Sequence, residues 1–163
     1  MKGYVEKIIS EYPHMVRERE HLKKQLESCK LISADEFICA VSLSHPEGER
    51  VQSSNLSDKT ACVALGYREK LDQINEEFVL PMQIRYDALD TEISFLETSI
   101  NELPEDMTTA MQELVIEGFT WEEVAENLYI SISKLQKLRR AAIENLVRVY
   151  QKRESILAGK LLN

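Results

Sequence analysis

Between residues 131 and 153 the chain carries seven basic residues (Lys134, Lys137, Arg139, Arg140, Arg148, Lys152 and Arg153) against Glu144 alone. The stretch before it, residues 104–127, carries seven acidic residues and no lysine or arginine. Lysine, arginine, glutamine and serine are the side chains that donate hydrogen bonds to DNA phosphates and base edges. Ser131, Ser133, Lys134, Gln136, Lys137, Arg139 and Arg140 are therefore the candidate DNA-binding residues. A solvated basic face on an amphipathic helix is the simpler alternative for such a charge run. Composition alone does not separate the two.

The segment TWEEVAENLYISISKLQKLRR supplies elements that would position these side chains. Thr120 with Glu123 three residues on makes a capping box, which predicts a helix starting at Trp121. Val124, Ala125 and Leu128 form its inner face. Ser131 can cap a second helix, in which Leu135, Leu138 and Ala142 recur at helical spacing and point back at the first. Tyr129, Ile130 and Ser131 leave room only for a tight corner, with Ile130 plugging it. This is the spacing of a helix-turn-helix, which lays its second helix into the DNA major groove. A preceding helix is predicted from Pro104, at its first position, to Glu117, ending at Gly118. Phe119 and Trp121 should insert between helices. Beyond the second helix, Ile143, Leu146, Val147 and Tyr150 continue an apolar stripe suited to packing on Met107, Met111 and Leu114. Residues 153–163 read as a frayed tail.

Upstream, residues 3–28 form one helix with a coiled-coil stripe of Ile8, Tyr12, Met15, Leu22 and Leu26, Arg19 filling one slot. Pro13 marks a kink or the true helix start. Ser33 with Glu36 opens a short apolar helix, DEFICAVSL, which the proline and glycine of residues 45–49 break. A polar loop, RVQSSNLSDKTA, follows. Residues 58–100 are almost continuously helical, with Leu71, Ile74, Phe78, Met82, Leu89, Ile93, Leu96, Ile100 and Leu103 in a three-four rhythm. Unbroken, such a helix would span roughly 60 Å, but Pro81 argues for a break. The opposite face is acidic (Asp72, Glu76, Glu77, Asp87, Asp90, Glu92, Glu97) and would repel DNA. The apolar seam needs a covering partner, either the first helix folding back or a second chain.

The expected architecture is all-α: a helical hairpin or coiled coil over residues 1–102 for oligomerisation, a helix-turn-helix over 103–152, and the tail. A 163-residue chain with 44% hydrophobic and 29% charged residues can bury one core. Its net charge of −8 makes the local charge reversal, and not the sum, the relevant quantity. Cys29, Cys39 and Cys62 are widely spaced and odd in number, which fits reduced thiols in a cytoplasmic protein. No apolar run suits a signal peptide or a membrane span. His14 and His21 lack the further ligands a metal site needs, and no cofactor motif is present. No nucleophile–base set stands out, so no enzymatic activity is expected.

The last 50 residues resemble sigma-factor region 4, which reads promoter −35 elements: a Leu-Pro start, an apolar helix ending at Gly118, then TWEEVA and ISISK. The whole chain is similar to phage and prophage late-transcription regulators of the ArpU type. Residues 3–8 match their GY..KI opening, Val51 to Ala61 their VQSSN.SDKTA block, and Arg139 to Leu146 their RRAAIENL. The resemblance implies a DNA-binding transcription regulator with Lys134, Gln136, Lys137 and Arg140 facing double-stranded DNA. It also implies RNA polymerase as a partner, while the long apolar seam and the short reach of one reading helix predict a homodimer or higher oligomer formed through the N-terminal helices. Tyr129 stands where such turns usually place glycine, and Val115-Ile116 where relatives have Arg-Tyr. The alternative class is a protein-interaction module that binds polymerase or a phage assembly partner, including as a DNA-packaging small subunit, through its helical stalk.

Overall fold

The computed structural model describes residues 1–30, 73 and 75–161. Among them there is no strand; the fold is all-α. The helices are α1 (Lys2–Lys30), α2 (Leu80–Asn101), α3 (Glu105–Met111), α4 (Trp121–Asn127) and α5 (Ile132–Leu161). Two π-helical segments, Asn75–Val79 and Gln112–Ile116, lead into α2 and out of α3. The Ser33–Glu36 capping box, the DEFICAVSL helix, the VQSSNLSDKTA loop, Leu71, Asp72, Ile74, Cys39 and Cys62 lie outside the described residues.

Met1–Arg19 and Leu89–Asn163 form one compact unit, and Glu20–Ala88 a second. In the first unit, α1 buries Val5, Ile8, Ile9 and Tyr12, while α2 buries Leu89, Ile93, Leu96 and Ile100 in the expected three-four rhythm. Each such side chain withdrawn from water contributes about 1.5–3 kcal/mol. That gain explains why α1 runs unbroken through Pro13. An interior proline costs on the order of 3 kcal/mol, less than the burial of Ile9 and Tyr12 beside it returns. Pro81 comes just after the π-helical Asn75–Val79, so the helix runs on through it and the change from π to α winding, not a break, falls there.

The acidic face of α2 is not wholly solvated. Tyr12 donates its hydroxyl hydrogen to Glu97 Oε1 at 2.6 Å, and Arg19 pairs with Asp90 at 3.2 Å. Arg153 pairs with Glu92 at 2.8 Å. Three carboxylates expected to repel DNA thus serve as partners for α1 and α5. Nor is the chain frayed after residue 152: α5 continues to Leu161, held at Arg153 by this ion pair and by the Phe95 ring, 4.2 Å below its guanidinium. Tyr150 packs edge-on against Phe95 at 4.8 Å and against Tyr4 at 6.0 Å. Its hydroxyl lies near the Glu92 carboxylate without hydrogen-bond geometry, and burial, then that charge, push it far above the usual phenol range.

Candidate nucleic-acid interface

Local chemistry builds the α4–α5 pair as its residues dictate. The Glu123 N–H donates to Thr120 Oγ1 at 3.3 Å, while Thr120 N–H and hydroxyl donate to Glu123 Oε2 at 2.8 and 2.9 Å. The backbone donor first, then the hydroxyl, hold the Glu123 carboxyl below the ordinary range. Pro104 stands one residue earlier than the sequence suggests, as the cap of α3, and its carbonyl accepts from Met107 and Thr108. Gly118, with φ of 75°, ends the segment after α3.

The corner between α4 and α5 is a Schellman turn. Tyr129 N–H donates to the Glu126 carbonyl, and Ile130 N–H to the Ala125 carbonyl, closing the end of α4. Ile130 then packs on the small core of Ala110, Val124, Ala125 and Leu135, with Leu114, Trp121, Leu128 and Leu138 around it. Phe119 is the exception to the expected packing, at 41% exposed. Only Trp121 of the aromatic pair goes inward.

Such a turn needs a left-handed residue, and Tyr129 fills the place with φ of 53°. A side chain there costs roughly 1–2 kcal/mol. Tyr129 is 95% exposed and recovers nothing by packing. Tyr129→Gly relieves the strain but adds freedom to the unfolded chain. The net expectation is a gain of about 0.5–1 kcal/mol, read as a higher urea midpoint at unchanged slope. A lower midpoint would mean that the tyrosine ring stabilises the fold in some way its exposure does not suggest.

On α5, Ser131 spends its hydroxyl as the helix cap, accepting from Lys134 N–H at 3.2 Å. Ser133, Lys134, Gln136, Lys137 and Arg140 are exposed, on the side away from buried Leu135. Arg139 differs from them: it is half-buried, with its guanidinium 5.8 Å from the centroid of the Trp121 ring. Gln136, Arg139 and Arg140 also line a cleft of about 430 Å³ whose other wall includes Lys2 and Glu6 of α1. No feature of the sequence links Lys2 or Glu6 to the basic helix; only the packing of α1 brings them there. A second cleft, of about 330 Å³, lies between Tyr12, Pro13 and Val16 and the chain from Val115 to Gly118.

His14 faces Glu18 on α1 at 3.8 Å. Among the described residues no group of three or more His, Cys, Asp or Glu is placed to hold a metal ion, and no helix is long and apolar enough to cross a membrane. Comparison with family models, with curated proteins and with solved structures returns no match for this chain.

Proposed function

We propose that this chain is a non-enzymatic, cytoplasmic DNA-binding transcription regulator of phage or prophage type, reading double-stranded DNA with the opening turns of α5. One observation carries the reading. Ser133, Lys134, Gln136, Lys137 and Arg140 stand exposed together, with no acidic residue on α5 before Glu144, on a helix whose opposite side is clamped by Leu135. Any amphipathic surface helix is backed on its apolar side. The exposed run of donors without a carboxylate is what favours a reading helix, and the backing holds those donors in register against base edges. The resemblance to sigma-factor region 4 and to ArpU-type regulators points the same way. Short reach from a single helix makes a homodimer through the N-terminal helices the working assembly.

Titration of labelled duplex DNA at low and high salt tests this with wild type and Lys137→Ala/Arg140→Ala. If both side chains neutralise phosphates, the log–log salt dependence becomes shallower by about 1.8, at roughly 0.9 per lost contact. Affinity at low salt drops in parallel. Equal binding by the two proteins removes the reading.

A protein-interaction module is favoured by a different observation: Phe78 and Ile84 are each 61% exposed, and Leu80 is also exposed. Contiguous exposed apolar side chains mark protein-binding surfaces, and Leu80 and Ile84, four residues apart on α2, share one helix face. RNA polymerase or a phage assembly partner would then be the target. Capture of polymerase from nuclease-treated lysate, by a protein that does not bind DNA, would select this second reading.

A further inference from the structure

We propose that the first turn of α1 completes the DNA footprint: Lys2, with Arg139 and Arg140, holds one backbone phosphate in the cleft beside the reading helix, and Glu6 limits its affinity. The inference rests on the DNA-binding reading above and extends it to residues at the other end of the chain.

The cleft gathers Lys2, Arg139 and Arg140 against Glu6, three cations to one anion, in a chain whose net charge is −8. Among the described residues neither Lys2 nor Arg140 forms an ion pair. Their charges are therefore not neutralised within this part of the protein, and an anion entering the cleft meets all three. Arg139 is the pre-set member. Its seat over Trp121 uses the attraction between a cation and the ring face, which consumes none of the five guanidinium N–H donors. A guanidinium held with its donors free suits the oxygens of a phosphate. Gln136 adds an amide donor on the same wall.

Location selects a phosphodiester over a free phosphorylated molecule. Gln136 and Arg140 belong both to the cleft and to the exposed basic face of α5. With that face in a major groove, the flank of the helix lies against the sugar–phosphate backbone bordering the groove. Lys2 would then contact the backbone from outside the reading pair, and Glu6, four residues on, would oppose it. Cation and anion at one site tune affinity in opposite directions.

Trp121 is the only tryptophan of the chain and lines the cleft, so its fluorescence reports on occupancy directly. Duplex DNA would be titrated into wild type, Lys2→Ala, Glu6→Gln and Lys7→Ala over a series of salt concentrations. Lys7, on the same helix, pairs with Glu11 at 3.8 Å and controls for loss of one charge elsewhere on α1. Lys2→Ala should weaken binding several-fold and make the salt dependence shallower by less than about 0.9, because Arg139 and Arg140 still face the same phosphate. Glu6→Gln should tighten binding, and Lys7→Ala should leave the slope as in wild type. A slope for Lys2→Ala equal to that of wild type, or matched by Lys7→Ala, overturns the inference while the DNA-binding reading stands. Wild type that binds no duplex overturns both. A Trp121 response to inorganic pyrophosphate as strong as to DNA would assign the cleft to free phosphates and also overturn it.

Discussion

Arg153→Ala should cost the fold on the order of 3 kcal/mol, because truncating one partner strands the other charge away from water. Arg153 pairs with Glu92 at 2.8 Å and lies 4.2 Å from the Phe95 ring centroid, with only 27% and 18% of the two charged side chains exposed. Glu92 Oε1 already lacks a hydrogen-bond partner, so losing the guanidinium leaves a carboxylate with little compensation. Fully buried pairs lose about 3–5 kcal/mol when broken; partial exposure puts this one at the lower end. Urea unfolding measures it, as a lower midpoint at unchanged slope. Removing both charges, as in Glu92→Leu/Arg153→Met, should recover most of the loss, since neither charge is then left unpaired. A single variant within about 0.5 kcal/mol of wild type would mean that water screens the pair.

Leu135→Ala should cost about 2–5 kcal/mol, the range for emptying a buried leucine site. Leu135 is fully buried against Ala110, Val124 and Ala125, and alanines and a valine have little volume with which to fill the gap. The damage should be local in its functional effect: α4 loses its anchor on α5, and the basic residues lose the support that fixes their register. Leu135→Met, which nearly conserves volume, should cost less than about 1.5 kcal/mol and keep DNA binding. A Leu135→Ala protein as stable as wild type would show that α3 and α4 close over the site. One that is destabilised yet binds DNA with full affinity at a temperature where it stays folded would show that the reading face needs no rigid backing.

Capping and turn chemistry were legible because they act over a few residues. The Thr120–Glu123 box, the Ser131 cap and the terminal Gly118 stand where their residue types predict. Tyr129 takes the left-handed conformation that glycine usually supplies at such a corner. Apolar spacing also carried far: Leu89, Ile93, Leu96 and Ile100 are buried in the rhythm read from the chain. Phe119 departs from the expected packing because spacing cannot tell which of two aromatics flanking a cap turns inward.

Sequence by itself thus determined the all-α class, the α4–α5 corner and the reversal of charge across it, since each rests on neighbours along one chain. Tertiary structure alone decided the fate of the charges. Asp90, Glu92 and Glu97 read as a solvated acidic face until Arg19, Arg153 and Tyr12 are brought to them. Arg139 reads like Arg140 until Trp121 lies beneath it. Lys2 and Glu6 reach the basic helix only through the packing of α1. A charge acts through what lies within a few ångströms of it, and for these residues that company comes from distant parts of the chain.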